Sequence, residues 1–282
     1  MGKKDLTAAR VCVERMIAKE KDHNRHTVAQ SLEYALRSWP TTFTMVELPQ
    51  QIQKLVWADN PKRSLSDLWL DPSVGEQISA FLRERALAEK IREAELSIRN
   101  RILFHGPSGN GKTSLAGAIA KECGLQLLTL KLSGIIESHI GGTGKHLRDL
   151  FSHAMQNECL LFLDELDSIG TARAGGEASA GREYNLIVNQ LIMLFDRIPD
   201  SSIIVGATNR IDAIDTAVKR RFNLTMELCP PSTEQVEKYI STYQRKHGIL
   251  FPTHTEESFP SWAAVEEYCF DQHRNLILAA CS

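Results

Sequence analysis

No stretch of the chain approaches the ~18 consecutive apolar residues that a membrane-spanning helix requires. Cysteine is sparse and scattered: Cys12, Cys123, Cys159, Cys229, Cys269 and Cys281 include no C-x-x-C pair. The common zinc and redox spacings are therefore missing, and reduced thiols are expected. Charge of one sign is also missing. With 33 Lys+Arg against 35 Asp+Glu, the 282 residues carry a formal net charge of −2, so no global attraction to nucleic acid or to an anionic membrane is expected. Met1 is followed by Gly-Lys-Lys-Asp-Leu rather than by an apolar signal segment, which points to a cytoplasmic protein. The histidine pairs His23/His26 and His146/His153 have no Cys or carboxylate set at zinc spacing. Wholesale disorder is excluded, because 43% of residues are hydrophobic and only 24% charged.

What remains has three textures. From Asp5 to about Trp39, Leu6, Val13, Met16, Ile17, Val28, Leu32, Ala35 and Leu36 recur at helical spacing. Pro40, Pro49 and Pro61 then break the chain into a connector. Between Ser64 and Cys229 short apolar runs alternate with helical stretches. The runs Ile102–Phe104, Leu125–Leu132, Leu160–Leu163, Ile203–Val205 and Leu224–Leu228 predict a parallel α/β sheet of five strands. Beyond Pro230-Pro231 helical periodicity returns. The expected organisation is a helical N-terminal region and connector over 1–63, an α/β domain over 64–230 and a small helical lid over 231–282.

Two motifs carry chemistry. Gly106-Pro107-Ser108-Gly109-Asn110-Gly111-Lys112-Thr113 fits G-x-x-x-x-G-K-[ST], with a strand before it and a helix opening at Ser114. The glycines let successive backbone N–H groups curl around phosphate oxygens, and the helix N-terminus adds positive potential. Lys112 would reach the β- and γ-phosphates, and the Thr113 hydroxyl would hold Mg²⁺. The second motif, Cys159-Leu-Leu-Phe-Leu-Asp164-Glu165, ends an apolar strand in two carboxylates. That edge of an open α/β sheet is where ligands bind. Asp164 would reach the metal through water, and Glu165 would orient and activate a water for attack.

From about Ser64 to the C-terminus the chain resembles the AAA+ ATPases, in particular the classical AAA group that remodels proteins. The resemblance implies a P-loop NTPase fold that hydrolyses ATP with Mg²⁺. It identifies Gly206-Ala-Thr-Asn209-Arg210 as similar to the family's sensor 1, with Asn209 helping to place the hydrolytic water. Asp215-Thr-Ala-Val-Lys-Arg220-Arg221-Phe222 is similar to the segment whose paired arginines act on a neighbouring subunit's γ-phosphate, which makes Arg220 and Arg221 arginine-finger candidates and implies a homo-oligomeric ring, usually hexameric. His139-Ile140-Gly141 stands where relatives expose a pore loop, with His139 in place of the usual aromatic, and Gly170–Gly181 falls at the second pore loop. Asp67–Gly75 resembles the stretch that cups adenine, with Leu70, Val74 and Gly75 as its candidate contacts, and Ser261-Trp262-Ala263 stands where relatives have a small Gly-containing turn of the lid near the nucleotide.

By this resemblance the partner is a protein client. A general likeness to short bacterial AAA proteins, some encoded beside a subtilisin-like protease, adds a protease to the candidate partners. Two alternatives stay open: a slow nucleotide-controlled switch that recruits a partner through residues 1–60, and a nucleic-acid-loading ATPase, against which the charge balance argues.

Overall fold

Unbroken apolar strands require cover on both faces, and that is the arrangement in the computed structural model of the chain. It describes residues 53, 56–59, 63–132, 143–168, 188–253 and 258–280. The chain divides into two compact units, Met1–Thr42 and Phe43–Ser282. The first lies outside the described residues; the sheet and its helices belong to the second.

Six strands form one sheet: β1 (Val56–Asp59), β2 (Arg101–His105), β3 (Gln126–Lys131), β4 (Cys159–Asp164), β5 (Ile203–Thr208) and β6 (Leu224–Glu227). Their spatial order is β1-β3-β4-β5-β2-β6. The five strands β2 to β6 are mutually parallel, as the alternation of apolar runs and helices predicts. The sheet nevertheless has six strands rather than five. β1 runs antiparallel beside β3, with Val56 opposite Leu130 and Asp59 opposite Leu127. Its four residues, VWAD, are too few to show a period. As an edge strand it needs one partner only, and Trp57 stays exposed while Val56 is buried.

Along each central strand alternate residues feed two different cores, the period-2 rule at work. Ile102, Phe104, Leu160, Phe162, Ile203 and Val205 pack with Val74, Ile78 and Phe81 of α1 (Pro72–Ala86), beyond which lies the short α2 (Ala88–Glu93). The same face takes Leu115, Ala116, Ile119 and Ala120 of α3 (Lys112–Glu122). Leu103, Leu161, Leu163 and Ile204 face the opposite way, against Leu147, Leu150, Phe151 and Ala154 of α4 (Thr143–Gln156) and against Leu191, Leu194 and Phe195. Each Leu, Ile, Val or Phe among them, taken fully out of water, contributes roughly 1.5–3 kcal/mol.

The short α5 (Thr216–Lys219) is capped by Asp215, whose carboxylate accepts the Ala217 N–H at 2.7 Å. α6 (Thr233–His247) opens with a Ser232/Gln235 capping box and ends at Gly248 after Arg245, Lys246 and His247, cations that suit a helix C-terminus. With α7 (Trp262–Ala280) it closes a third, smaller core of Val236, Ile240, Phe251, Val265 and Cys269.

One buried group in α4 makes stability depend on pH. The His153 ring is 7% exposed, and its Nδ1 lies 3.3 Å from the Asn157 amide nitrogen, which donates to it in the neutral tautomer. Nε2 is then buried with no partner among the described residues. Burial holds the His153 pKa below its ordinary value. Above about pH 6.5 both folded and unfolded chains are neutral at this ring, and it adds no pH slope. As pH falls below that point the unfolded chain binds the proton first, so stability drops on acidification. Urea midpoints measured from pH 5.5 to 7.5 should fall less steeply for His153→Leu than for the wild type on the acid side. Equal slopes would contradict this assignment.

Candidate active site

The loops bearing the motifs leave the carboxyl ends of three neighbouring strands. β5 lies between β2 and β4, so Asn209, one residue beyond β5, stands between the glycine-rich loop after β2 and the Asp164-Glu165 pair ending β4. This convergence at the carboxyl edge follows from strand order alone.

The glycine-rich loop is shaped by conformations that side chains resist. Gly106 has φ 134, and a Cβ built there would fall 2.2 Å from the Leu228 carbonyl oxygen, which passes alongside as Leu228 N–H donates to His105 O at 2.7 Å. Only glycine fits both the angle and the space. Gly111, with φ 83, precedes Lys112, the first residue of α3. Lys112 is 9% exposed. Its Nζ donates to Gly106 O at 2.7 Å, Pro107 O at 2.9 Å and Asn209 Oδ1 at 2.8 Å, which uses all three of its protons. Burial pulls the Lys112 pKa down, and Asp164 and Asp167 oppose that shift.

Asp164 is half-buried, and burial raises its pKa; the Glu165 N–H donating to Oδ1 at 2.9 Å opposes, and the neighbouring Glu165 charge adds to the rise. Glu165 itself takes φ 57, one of two non-glycine residues with positive φ among the described residues. Such a conformation costs of order 1–3 kcal/mol and persists only where neighbours impose it. Here Leu166 N–H donates to Ala207 O and Ser168 N–H to Glu165 O, each at 2.9 Å. Thr208, almost wholly buried, donates its hydroxyl to Asp167 Oδ1 at 2.8 Å and accepts the Arg210 N–H at 2.9 Å. Thr208 and Asp167 thus tie the carboxylate loop to the Asn209 loop. Neither was expected at the site from the sequence, although Thr208 stands inside Gly206-Ala-Thr-Asn209.

Part of the glycine-rich loop, the Asp164-Glu165 pair and Asn209 line one cavity of about 410 Å³, within the range of small-molecule sites. Ser108, Gly109, Asn110, Gly111, Lys112, Thr113, Ser114, Asp164, Glu165, Asn209 and Leu70 all border it. Gly106 and Pro107 contribute carbonyls to Lys112. Val74 and Gly75 do not border it. Val74 is buried in the core under α1, and the Gly75 carbonyl accepts the Ser79 hydroxyl at 2.8 Å within that helix. Arg220 and Arg221 do not border it either. Arg221 Nε lies 3.1 Å from Asp196 Oδ1, whereas the exposed Arg220 has no ion pair among the described residues. His139, Ile140 and Gly141 lie outside the described residues, as does Gly170–Gly181.

The cavity also reaches the stretch holding Trp69 and the turn holding Trp262, both of which the resemblance set near the nucleotide, and Tyr239, to which the sequence did not point. Trp69, Tyr239 and Trp262 border it together with Arg63, Asp67 and Glu266. The start of α7 is bonded directly to the glycine-rich loop: Trp262 N–H donates to Asn110 Oδ1 at 3.2 Å and Ala263 N–H to Gly109 O at 3.0 Å. Among the described residues no three or more His, Cys, Asp or Glu side chains gather as an all-protein metal cage. The Thr113 hydroxyl and the Asp164 carboxylate at the cavity wall instead fit Mg²⁺ held by few protein ligands and completed by phosphates.

Residues 102–230 match the model of AAA, the ATPase family associated with various cellular activities. The chain carries an AAA ATPase domain. An AAA family ATPase of Sinorhizobium fredii, y4kL, is 26% identical over 280 residues, which are 95% of this chain and 84% of that one. The ATP-dependent zinc metalloprotease FtsH of Mycobacterium tuberculosis is 35% identical over 185 residues, 61% of this chain but 23% of the relative. The peroxisomal ATPase PEX6 of Arabidopsis thaliana is 41% identical over 126 residues, 43% of this chain and 13% of the relative. The likeness to those two longer proteins therefore concerns a minor part of their length. AAA ATPases hydrolyse ATP with Mg²⁺, and the cavity residues fit both. No helix among the described residues is long and apolar enough to cross a membrane.

Two loops of the AAA domain press on β5 at Gly206. A Cβ there would fall 2.3 Å from Leu166 Cδ1 and 2.7 Å from Phe222 Cζ. Those residues adjoin Glu165 and Arg221. Gly206→Ala should destabilise the fold by about 1–3 kcal/mol in urea unfolding. At a temperature where the variant remains folded, ATP hydrolysis should fall at least tenfold, because displaced reactive groups lose alignment. A variant that loses neither stability nor turnover would contradict this packing account.

Proposed function

We propose that this AAA domain hydrolyses ATP in an assembly of identical subunits and uses the cycle to remodel a protein client. The observation that supports it most is the meeting of Lys112, Thr113, Asp164, Glu165 and Asn209 around one cavity. In this reading residues Gly106 to Ser114 cradle the phosphates, and Lys112 places its ammonium against the terminal two. Thr113 and Asp164 hold Mg²⁺, which when bound neutralises phosphate charge. Glu165 accepts a proton from the attacking water as the water oxygen bonds to the terminal phosphorus and the bond to ADP breaks. Asn209, already within hydrogen-bond distance of Lys112, aligns that water. Leu70 lies toward the base.

One of the two arginines acts on a neighbour. Neither borders its own chain's cavity, and Arg220, exposed and without an ion pair among the described residues, is the one available to reach another subunit. Arg221 is held by Asp196. A ring, usually a hexamer in this family, follows from that reading. We assign 64–230 to the ATPase domain, 231–282 to its lid and 1–63 to a helical N-terminal region and connector. His139, Ile140 and Gly141 are proposed to line the ring's channel and grip the client. The metalloprotease named among the relatives makes a protease one kind of partner to test.

Two sets of variants check this. Lys112→Ala should lose nucleotide binding in calorimetry, whereas Glu165→Gln should bind ATP and fail in single turnover. Equal loss of binding in both would contradict the roles given. Arg220→Ala should lower turnover by about 10³-fold with unchanged stability, the scale of a lost arginine finger. Arg221→Ala should mainly cost an exposed ion pair, under about 1 kcal/mol. An Arg221→Ala loss of turnover exceeding that of Arg220→Ala would reverse the assignment.

A further inference from the structure

β5 ends in Thr208, which is 1% exposed and does not border the cavity. Its hydroxyl nevertheless stands between the two groups to which the proposed hydrolysis gives the attacking water. That hydroxyl donates to Asp167 Oδ1 at 2.8 Å and accepts the Arg210 N–H at 2.9 Å. Asp167 lies two residues after Glu165, and Thr208 and Arg210 bracket Asn209. One oxygen therefore joins the segment that follows Glu165 to both flanks of Asn209.

The two bonds constrain different things. The bond from Arg210 closes a turn over Asn209, the local contact a Thr hydroxyl makes with a backbone N–H two residues on. It fixes the peptide planes on either side of the Asn209 side chain. The bond to Asp167 acts between segments far apart in the chain. Leu166 N–H to Ala207 O, at 2.9 Å, is a backbone link between the same two segments. A single bond lets them pivot, and the second sets their angle. Glu165, with φ 57, stands at the end of that lever. Asn209 is held from its other side, where Oδ1 accepts from Lys112 Nζ at 2.8 Å. The Thr208 hydroxyl thus uses both its donor and its acceptor capacity on the two loops.

We infer that Thr208, acting through Asp167 and the Arg210 N–H, is a positioning residue for ATP hydrolysis: it sets the spacing of Glu165 and Asn209 around the attacking water and takes no part in holding nucleotide. The inference rests on the water-activating and water-aligning roles proposed for those two residues. A hydroxyl that served only the fold would change stability when removed and leave turnover per folded chain where it was. A hydroxyl that positions changes turnover and leaves nucleotide affinity alone, because neither Thr208 nor Asp167 borders the cavity.

The test uses the full chain at a concentration where the wild type is assembled. Each variant is measured by ADP calorimetry, by ATP turnover at saturating Mg²⁺ and ATP, and by urea unfolding. Thr208→Val keeps the shape and removes the hydroxyl. It should lower kcat by about tenfold to a hundredfold, the scale of a small misalignment, with ADP affinity within about threefold of the wild type. Thr208→Ser restores the hydroxyl and should recover most of the lost turnover. Asp167→Ala breaks the bond between the loops, leaves that of Arg210, and should lower kcat by about tenfold. This arm decides the matter where Thr208→Val does not fold. The double variant Thr208→Val, Asp167→Ala should lose less than the product of the two single losses, because both remove the same bond. Wild-type turnover in folded Thr208→Val or Asp167→Ala protein, single losses that multiply, or ADP affinity that falls in step with kcat would each overturn the inference. A wild-type chain that binds ATP without hydrolysing it overturns the roles of Glu165 and Asn209 and this inference with them, whereas a wild type that hydrolyses ATP beside unaffected variants overturns the positioning alone.

Discussion

A lysine ammonium almost out of water is tolerated only where each of its protons meets an acceptor. At Lys112 those acceptors are two carbonyls of its own loop and the side-chain oxygen of Asn209, and they fix much of the site around them. The carbonyls are in place because Gly106 bends at an angle closed to other residues and passes the Leu228 carbonyl too closely for a Cβ. Asn209 is in place because β5 lies beside β2. The same neighbour order brings β4 alongside β5, so the carboxylate pair arrives at the ammonium without a long loop. Position in the sheet and the demands of one buried charge support each other.

The strained Glu165 depends on the same strand. Its positive φ is imposed by hydrogen bonds to β5 and to Ser168, and Leu166 beyond it rests over Gly206, which has no side chain to push it away. The conformation is held from outside, by the strand that leads into Asn209. The Thr208 hydroxyl completes the tie by bonding Asp167 and the Arg210 N–H together. The start of α7 and the glycine-rich loop are joined as directly, through the Ala263 N–H donated to Gly109 O and the Trp262 N–H donated to Asn110 Oδ1.

The glycine-rich loop, the Asp164-Glu165 pair and Asn209 were legible because each is a local pattern whose chemistry needs adjacent residues. Five strands were legible for a related reason: long apolar runs and their alternation with helices are statements about neighbours. β1 was not, since four residues paired at one edge show no period. The resemblance set the segments of Trp69 and Trp262 near the nucleotide, but their meeting with Tyr239 was not legible, for the opposite reason. Trp69, Tyr239 and Trp262 come from separate elements, and only the packing of α6 and α7 against the segment before α1 unites them. Val74 and Gly75 were expected at the base but belong to α1, where helical geometry turns Val74 into the core. The difference between Arg220 and Arg221 likewise depends on Asp196, a residue the motif does not include.

The central claim is that Arg220 completes a neighbour's cavity, so that the AAA domain hydrolyses ATP only as an assembly. Specific ATPase activity of the full chain measured across a wide range of protein concentration, beside sedimentation of the same samples, tests it most directly. Activity per chain should rise in step with the assembled fraction and approach zero where only single chains sediment. Constant activity per chain in samples that sediment as monomers would contradict it.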